Sequence, residues 1–128
     1  MGLEEKRLFK QLQEETLPRY QKALDAIVGS PLTYDVDWAG FAGDHDALTH
    51  IEERLLTEVQ SALQTICRDD LGKEAVRAQL KQIRVTNLAH FDCDEITISA
   101  GTLHMACDWG NGSRWVAESI VTRVESLL

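Results

Sequence analysis

Two histidines and two cysteines near the end of the chain have a spacing that could bind zinc. They form the pairs His90-x-x-Cys93 and His104-x-x-Cys107, and two imidazoles with two thiolates can complete a four-ligand structural site. The residues around His104 alternate as in a β-strand, however, and side chains three positions apart on a strand point to opposite faces. Only a bulge near Cys107 would bring the two together. We therefore expect Cys93 and Cys107 to be small core residues, and we predict no metal and no cofactor.

The same histidines and cysteines could take part in nucleophilic catalysis. Such a pair also needs a group that orients the base and an oxyanion hole, and no sequence signature marks either. Glycine-rich phosphate loops and the G-x-S-x-G nucleophile motif are missing from the sequence. We assign no catalytic residue, and the sequence favours a protein that is not an enzyme.

A second group of candidate ligands consists of four aspartates on either side of Gly40, namely Asp35, Asp37, Asp44 and Asp46. Counted from Asp35, they partly fit the calcium loop of an EF-hand, but position five is an alanine and position twelve is Asp46 where the motif has glutamate. Capping of a following helix explains Asp44 and Asp46 better, since carboxylates are favoured at helix N-termini.

The acidic residues are concentrated in one part of the sequence. Residues 31–70 hold nine acidic and two basic side chains, while the whole chain has a net charge of −8. Residues 71–88 are basic, with four cationic side chains against one acidic. This distribution predicts an acidic surface that attracts a basic protein partner. The predicted partner-binding residues are Asp35, Asp37, Asp44, Asp46, Glu52 and Glu53.

Periodicity predicts the elements that position these side chains. Apolar residues at helical spacing between Leu48 and Ile66 predict a long amphipathic helix. Residues 32–38 alternate as a half-buried strand, and Ala100-Gly101 is a two-residue turn that would place Ile98 opposite Leu103 and Ile96 opposite Met105. Thr16-Leu17-Pro18 is expected to separate two N-terminal helices, because proline suits the first turn of a helix.

The predicted fold is a single α+β domain over residues 1–128. It has the element order α-α-β-α-α-β-β-β-α and a four-stranded, mainly antiparallel sheet packed by helices on one face. Residues 1–15 are expected to form a helical arm, which could pack on a second copy of the chain and make a homodimer. The edges of the sheet offer a second route to a dimer.

Composition narrows the class of function. A net charge of −8 argues against nucleic acid and anionic membranes as partners. Three widely spaced cysteines and an N-terminus without a signal-peptide pattern predict a cytoplasmic protein with reduced thiols. The leading hypothesis is a small acidic protein-binding module, similar in size and charge to immunity proteins, antitoxins or adaptors. The alternative is a metal- or small-ligand-dependent domain that could be an enzyme, with a site near residues 90–108 formed by His90, Asp92, His104 and Asp108.

Overall fold

Helices and strands alternate in the predicted groups, but the described residues form six helices where five were predicted, because three helices and not two separate the first two strands. The computed structural model describes residues 2–88, 95–111 and 115–128. The helices are α1 (Leu3–Gln11), α2 (Leu17–Val28), α3 (His45–Ile51), α4 (Thr57–Ile66), α5 (Asp70–Gln79) and α6 (Ala117–Leu127). The strands are β1 (Thr33–Val36), β2 (Gln82–Asn87), β3 (Glu95–Ser99) and β4 (Thr102–Cys107). The fold is α+β, as predicted.

The sheet is mixed and mostly parallel, so the prediction of a mainly antiparallel sheet is wrong. Its strand order is β1-β2-β4-β3, with β1 parallel to β2 and β2 parallel to β4. Helices α3 to α5 connect β1 to β2, and such a crossover makes the two strands parallel. Strand β4 lies between β2 and β3 in the sheet, although it is the last of these four strands in the sequence. The edge position of β3 agrees with its sequence, because the first and last residues of this strand, Glu95 and Ser99, are polar and exposed.

Among the described strands, the antiparallel pair is the hairpin of β3 and β4, and its register is as predicted. Ile98 lies opposite Leu103 and Ile96 lies opposite Met105. Ala100 and Gly101 have φ values of 51° and 82°, and a type I′ turn needs positive φ at both positions. Gly101 adopts this conformation without strain, whereas the Cβ of Ala100 makes it unfavourable.

Side chains on the two faces of the sheet differ in character. One face lies in the hydrophobic core with the helices and holds the buried residues Tyr34, Val36, Ile83, Val85, Ile96, Leu103, Met105 and Cys107. The other face is partly exposed and mostly polar, with Asp35, Gln82, Arg84, Thr86, Thr97, Thr102 and His104. Such alternation is the pattern of a sheet with one face toward solvent.

Two long helices each contain a π-helical turn, Leu12–Thr16 between α1 and α2 and Glu52–Leu56 between α3 and α4. Pro18 lies in the first turn of α2, as expected, but the chain does not break before it. Since proline has no N–H, it cannot donate to the carbonyl four residues earlier, and a neighbouring π turn lets the helix continue past it. The second π turn has the sequence Glu-Glu-Arg-Leu-Leu and contains neither proline nor glycine.

Helix side chains bind both outer edges of the sheet. Beside β1, the Gln21 side chain accepts a hydrogen bond from the amide of Tyr34 at 2.8 Å and donates to the carbonyl of Leu32. At the β3 edge, Arg123 Nε of α6 donates to the carbonyl of Ile96 at 3.0 Å. These side chains occupy backbone groups that a strand from another chain would need.

The N-terminal helix packs on its own chain through part of its apolar face. Leu12 is buried, and Leu8 and Phe9 lie against the core. The ring of Phe9 is 5.1 Å from that of Trp38, whereas Leu3 is exposed. The prediction of a dimer through residues 1–15 stays a prediction, and Leu3 in the first turn of α1 is the apolar residue of this segment that remains exposed for it. No helix in the described ranges is long and apolar enough to cross a membrane.

Ala100→Asn is expected to stabilise the domain, because asparagine tolerates positive φ and Asn-Gly is a preferred type I′ turn. We expect a gain of about 0.5–1 kcal/mol in the free energy of unfolding, measured by urea denaturation. Ser99→Asn, one residue outside the turn, is the control and should change stability little. Equal effects of the two substitutions would contradict the turn geometry.

The hydroxyl of Tyr34 is a buried polar group without a hydrogen-bond partner among the described residues. Burial, and to a lesser extent Tyr20, raises the pKa of this phenol well above its usual value. Tyr34→Phe should therefore leave stability at pH 7 unchanged or raise it by up to about 1 kcal/mol. Above about pH 10 the unfolded phenol ionises while the folded one stays neutral, so the wild type should lose stability that the variant keeps.

Tyr20→Phe is the matched control for this experiment. The Tyr20 hydroxyl donates to Glu52 Oε2 at 2.9 Å and lies 3.1 Å from Thr57 Oγ1. Its removal should cost about 1 kcal/mol in urea denaturation at pH 7. If Tyr34→Phe costs as much as Tyr20→Phe, the Tyr34 hydroxyl has a partner after all.

Candidate functional site

The first two predicted partner-binding residues belong to β1 and its end. Asp35 lies on the open face of the sheet and forms an ion pair with Arg84, at 2.5 Å between Oδ2 and Nη1. Asp37 directly follows β1, and its amide donates to the carbonyl of Val85. Asp35 is therefore committed to a contact within the sheet, and Asp37 marks the edge where β1, β2 and β4 all end.

Asp44 is the N-cap of α3, as its sequence position predicts. Its Oδ1 accepts from the amide of Ala47 at 3.0 Å, and its Oδ2 accepts from Asn87 Nδ2 at 2.9 Å. The carboxylate also packs on Gly110, where a Cβ would lie only 2.8 Å from Oδ1. Asp46, two residues later in the first turn of α3, is exposed. Asp44 thus has a structural role, while Asp46 is accessible to a partner.

Glu52 and Glu53 are neighbours in the second π turn but have different surroundings. Glu52 Oε2 accepts from Arg19 Nη2 at 2.7 Å and from the Tyr20 hydroxyl, so it joins this helix to α2. Glu53 Oε1 lies 2.5 Å from His50 Nδ1, and its side chain is 69% exposed. Of these two glutamates, Glu53 is the more exposed, since the side chain of Glu52 is 42% exposed.

Glu53 lines a groove between the α3–α4 helix and the segment that leads into α6. The groove has a volume of about 550 Å³, and we call it the α3–α6 groove. Its lining residues are His50, Glu53, Arg54, Thr57, Glu58, Trp115 and Val116. Two carboxylates, a partly exposed indole and the exposed side chain of Val116 therefore line one concave surface.

Backbone contacts hold the charged residues of the groove in place. Arg54 Nη1 donates to the carbonyls of Trp109 at 2.6 Å and Gly110 at 3.3 Å, which directs the guanidinium toward the turn after β4. Glu58 Oε2 accepts from the amide of Ala117 at 2.6 Å, at the N-terminus of α6. A carboxylate is favoured there, because the helix dipole and unpaired amides attract negative charge.

The second π turn contributes two residues, Glu53 and Arg54, to the lining of this groove. Turns of this kind occur often at functional sites, since the widened backbone is less favourable than regular helix. The first π turn is explained by Pro18, whereas the second contains no residue that requires it. It spans Glu53 and Arg54 of the groove lining and ends beside Thr57. Sequence analysis missed the other lining residues because nothing in the sequence marks this π turn or the approach of Trp115 to the helix.

The described residues of the candidate zinc pattern, His104 and Cys107, do not converge. His104 is on the polar face of β4, opposite Arg84 and Thr97, while Cys107 is buried in the core. His90, Cys93 and Asp92 lie outside the described residues. Among the residues that are described, no group of three or more histidine, cysteine or acidic side chains could hold a metal ion.

Asn87, at the end of β2, connects three loops at the carboxyl edge of the parallel strands. Its Nδ2 donates to the carbonyl of Gly40 at 3.0 Å and to Asp44 Oδ2, and its Oδ1 accepts from the amide of Trp109 at 3.2 Å. The indole of Trp109 is buried and donates to the carbonyl of Thr86 at 3.1 Å. These hydrogen bonds hold the turn whose carbonyls accept from Arg54. Because Arg54 lines the α3–α6 groove, they help to position one wall of it.

Asn87→Ala should destabilise the domain by roughly 2 kcal/mol, because it leaves an oxygen of Asp44 and the amide of Trp109 without this partner. Urea denaturation at pH 7 measures the change. Gln82→Ala, on the exposed face of the same strand, is the control and should cost less than about 0.5 kcal/mol. Equal stability of the two variants would show that the Asn87 contacts contribute little.

Comparison with known proteins gives no relative for this chain. No protein-family model, no curated protein and no solved structure matches it. The function must therefore be argued from the residues of this chain, and the α3–α6 groove is the site that they best support.

Proposed function

We propose that the protein is a non-enzymatic binding module whose partner is a basic protein held in the α3–α6 groove. The lining of this groove is the observation that carries the proposal. It combines exposed Glu53, the carboxylate of Glu58, the indole of Trp115 and the exposed side chain of Val116. Protein interfaces favour such combinations, with an aromatic or aliphatic anchor surrounded by polar groups.

The charge of the chain supports a basic partner. The net charge is −8, and an acidic field speeds the encounter with a cationic surface. Asp46 is exposed near the start of the helix that carries Glu53, and it adds to the negative potential on that side. The proposal revises the sequence-based surface. Asp35 pairs with Arg84, Asp44 caps α3 and Glu52 pairs with Arg19, whereas Glu53 contacts His50 through one oxygen and is the most exposed of the ion-paired carboxylates at 69%.

The alternative, a metal- or small-ligand site near residues 90–108, has one observation in its favour. The parallel strands bring Asp37, Asn87 and the buried Asp108 to one edge of the sheet, and ligands of parallel sheets bind at the carboxyl ends of the strands. The side chain of Asn87, however, is occupied by contacts within the chain. We therefore place the binding site in the α3–α6 groove.

The test begins with native mass spectrometry of the protein purified gently from its own cells, which should find a stoichiometric complex with a basic protein. Glu53→Lys should then weaken that complex about tenfold or more, because it puts a positive charge in the groove. Glu74→Lys on α5 is the matched control. Glu74 is exposed outside the groove, and both substitutions change the net charge by the same amount.

Calorimetric titration of the purified partner gives the dissociation constants, and urea denaturation checks that both variants fold. Affinity should also fall as salt rises, because exposed charges are screened. Equal weakening by the two substitutions would mean that net charge, and not the groove, determines binding. A partner that is acidic, or whose affinity ignores Glu53→Lys, would contradict the proposal.

A further inference from the structure

A second concave surface lies between the start of α5 and the end of α6. It has a volume of about 400 Å³, and we call it the Leu71 groove. Its lining residues are Ile66, Arg68, Asp69, Leu71, Gly72, Ala75, Glu125 and Leu128. Most of them are apolar or small, and the charged ones are of both signs. An apolar surface with a few polar groups beside it suits contact with another protein surface.

Leu71 lines this groove and is nevertheless 79% exposed, the highest value among the large apolar residues of the described ranges. Its position in the first turn of α5 is fixed by its neighbours. The side chain of Asp69 accepts from the amide of Gly72 at 2.8 Å, and a Cβ at Gly72 would overlap the carbonyl oxygen of Ile66. The exposed leucine therefore stands on a helix start that packs tightly on the end of α4.

The other wall of the groove comes from α6, and it is held beside α5. Gln79 Nε2 donates to the carbonyl of Leu128 at 2.9 Å. Glu125 is exposed on this wall, and Arg68 is exposed in the turn after α4, where its Nη1 donates to the carbonyl of Thr65 at 3.2 Å. Within the described part of the chain, neither Arg68 nor Glu125 forms an ion pair.

We propose that two copies of the chain associate through this surface, each placing Leu71 in the Leu71 groove of the other. Two-fold symmetry brings one surface against itself, so a protruding residue beside a groove can fill the groove of the second copy. The same symmetry repeats every contact twice. Arg68 of each copy can therefore pair with Glu125 of the other, which gives two ion pairs around the two leucines.

The charges of this surface favour a second copy over a strongly basic or acidic partner. Its three charged side chains are of both signs, and one of them, Asp69, is already engaged as the N-cap of α5. The interface is small, and the net charge of −8 opposes association. Since small interfaces are weak, we expect a dissociation constant of roughly 10–500 µM. The Leu71 groove shares no residue with the α3–α6 groove, so this inference is independent of the proposed function.

Sedimentation equilibrium of the full chain at loading concentrations from about 5 µM to 1 mM measures the association. The wild type should change from monomer to dimer over this range. Leu71→Asp should weaken the dimer about tenfold or more, because it removes the apolar contact and puts a carboxylate in the groove. Leu3→Asp is the matched control, since Leu3 is also exposed, lies outside the groove and gains the same charge.

An exchange of the two charges tests the proposed pairing. Arg68→Glu and Glu125→Arg should each weaken the dimer about threefold or more, because each places like charges opposite one another, and the double variant should restore it. Glu125→Arg also reduces the net negative charge, which would strengthen any nonspecific association, so its weakening effect is specific to the pairing.

The dimer is overturned if the wild type stays monomeric at 1 mM, or if Leu71→Asp affects association no more than Leu3→Asp does. A double charge variant that associates no better than the two single variants would overturn it as well. Urea denaturation at pH 7 shows whether each variant keeps its fold, and we expect little change because the substituted side chains are exposed.

Discussion

The hydrogen bonds of the Asn87 carboxamide are the constraint on which the proposed binding surface depends. A mostly parallel sheet brings the ends of β1, β2 and β4 to one edge, so the segments that leave these strands crowd together. A carboxamide offers both a donor and an acceptor, and Asn87 uses them on Gly40, Asp44 and Trp109. The start of α3 and the turn after β4 are thereby fixed relative to each other.

The groove follows from that arrangement by a short chain of contacts. Arg54 reaches the carbonyls of the turn after β4, and Glu58 accepts the first amide of α6. Both side chains stand on one helix, and both hold it against the C-terminal part of the chain. The second π turn contains Arg54, ends two residues before Glu58 and supplies Glu53 at the surface. The groove therefore combines charged side chains held by backbone contacts with the exposed side chain of Glu53, an arrangement that suits the proposed interface.

The parts of the fold that depend on local pattern could be predicted from the sequence. Helical periodicity predicted the buried apolar stripe from Leu48 to Ile66. The two-residue turn predicted the pairing of Ile96 with Met105, because turn type and register are set by a few neighbouring residues. The placement of β4 between β2 and β3 was not predictable in this way, since the hairpin turn says nothing about which strand pairs with β2. The π turn at Glu52–Leu56 has no proline or glycine to signal it.

The candidate site was harder to predict than the fold for a related reason. A count of charges does not say which carboxylates have partners within the chain. Asp35 pairs with Arg84 and Glu52 pairs with Arg19, both far away in the sequence. Such contacts exist only after folding, and they offset the charge of these residues on an acidic surface that looks continuous in the sequence. Glu53 differs from Glu52 only by one position along a helix, which is enough to turn it toward another neighbour.

The central position of β4 also affects how the chain can fold during its synthesis. When the ribosome has completed β1 and β2, the inner edge of β2 has no strand beside it, because its partner consists of residues 102–107. Unpaired edges of this kind promote association between nascent or partly folded chains. The four-stranded sheet can form only after β4 has left the exit tunnel, so β2 lacks this neighbour until then. A nascent chain that stalls before β4 would accordingly depend on chaperones more than the finished protein does.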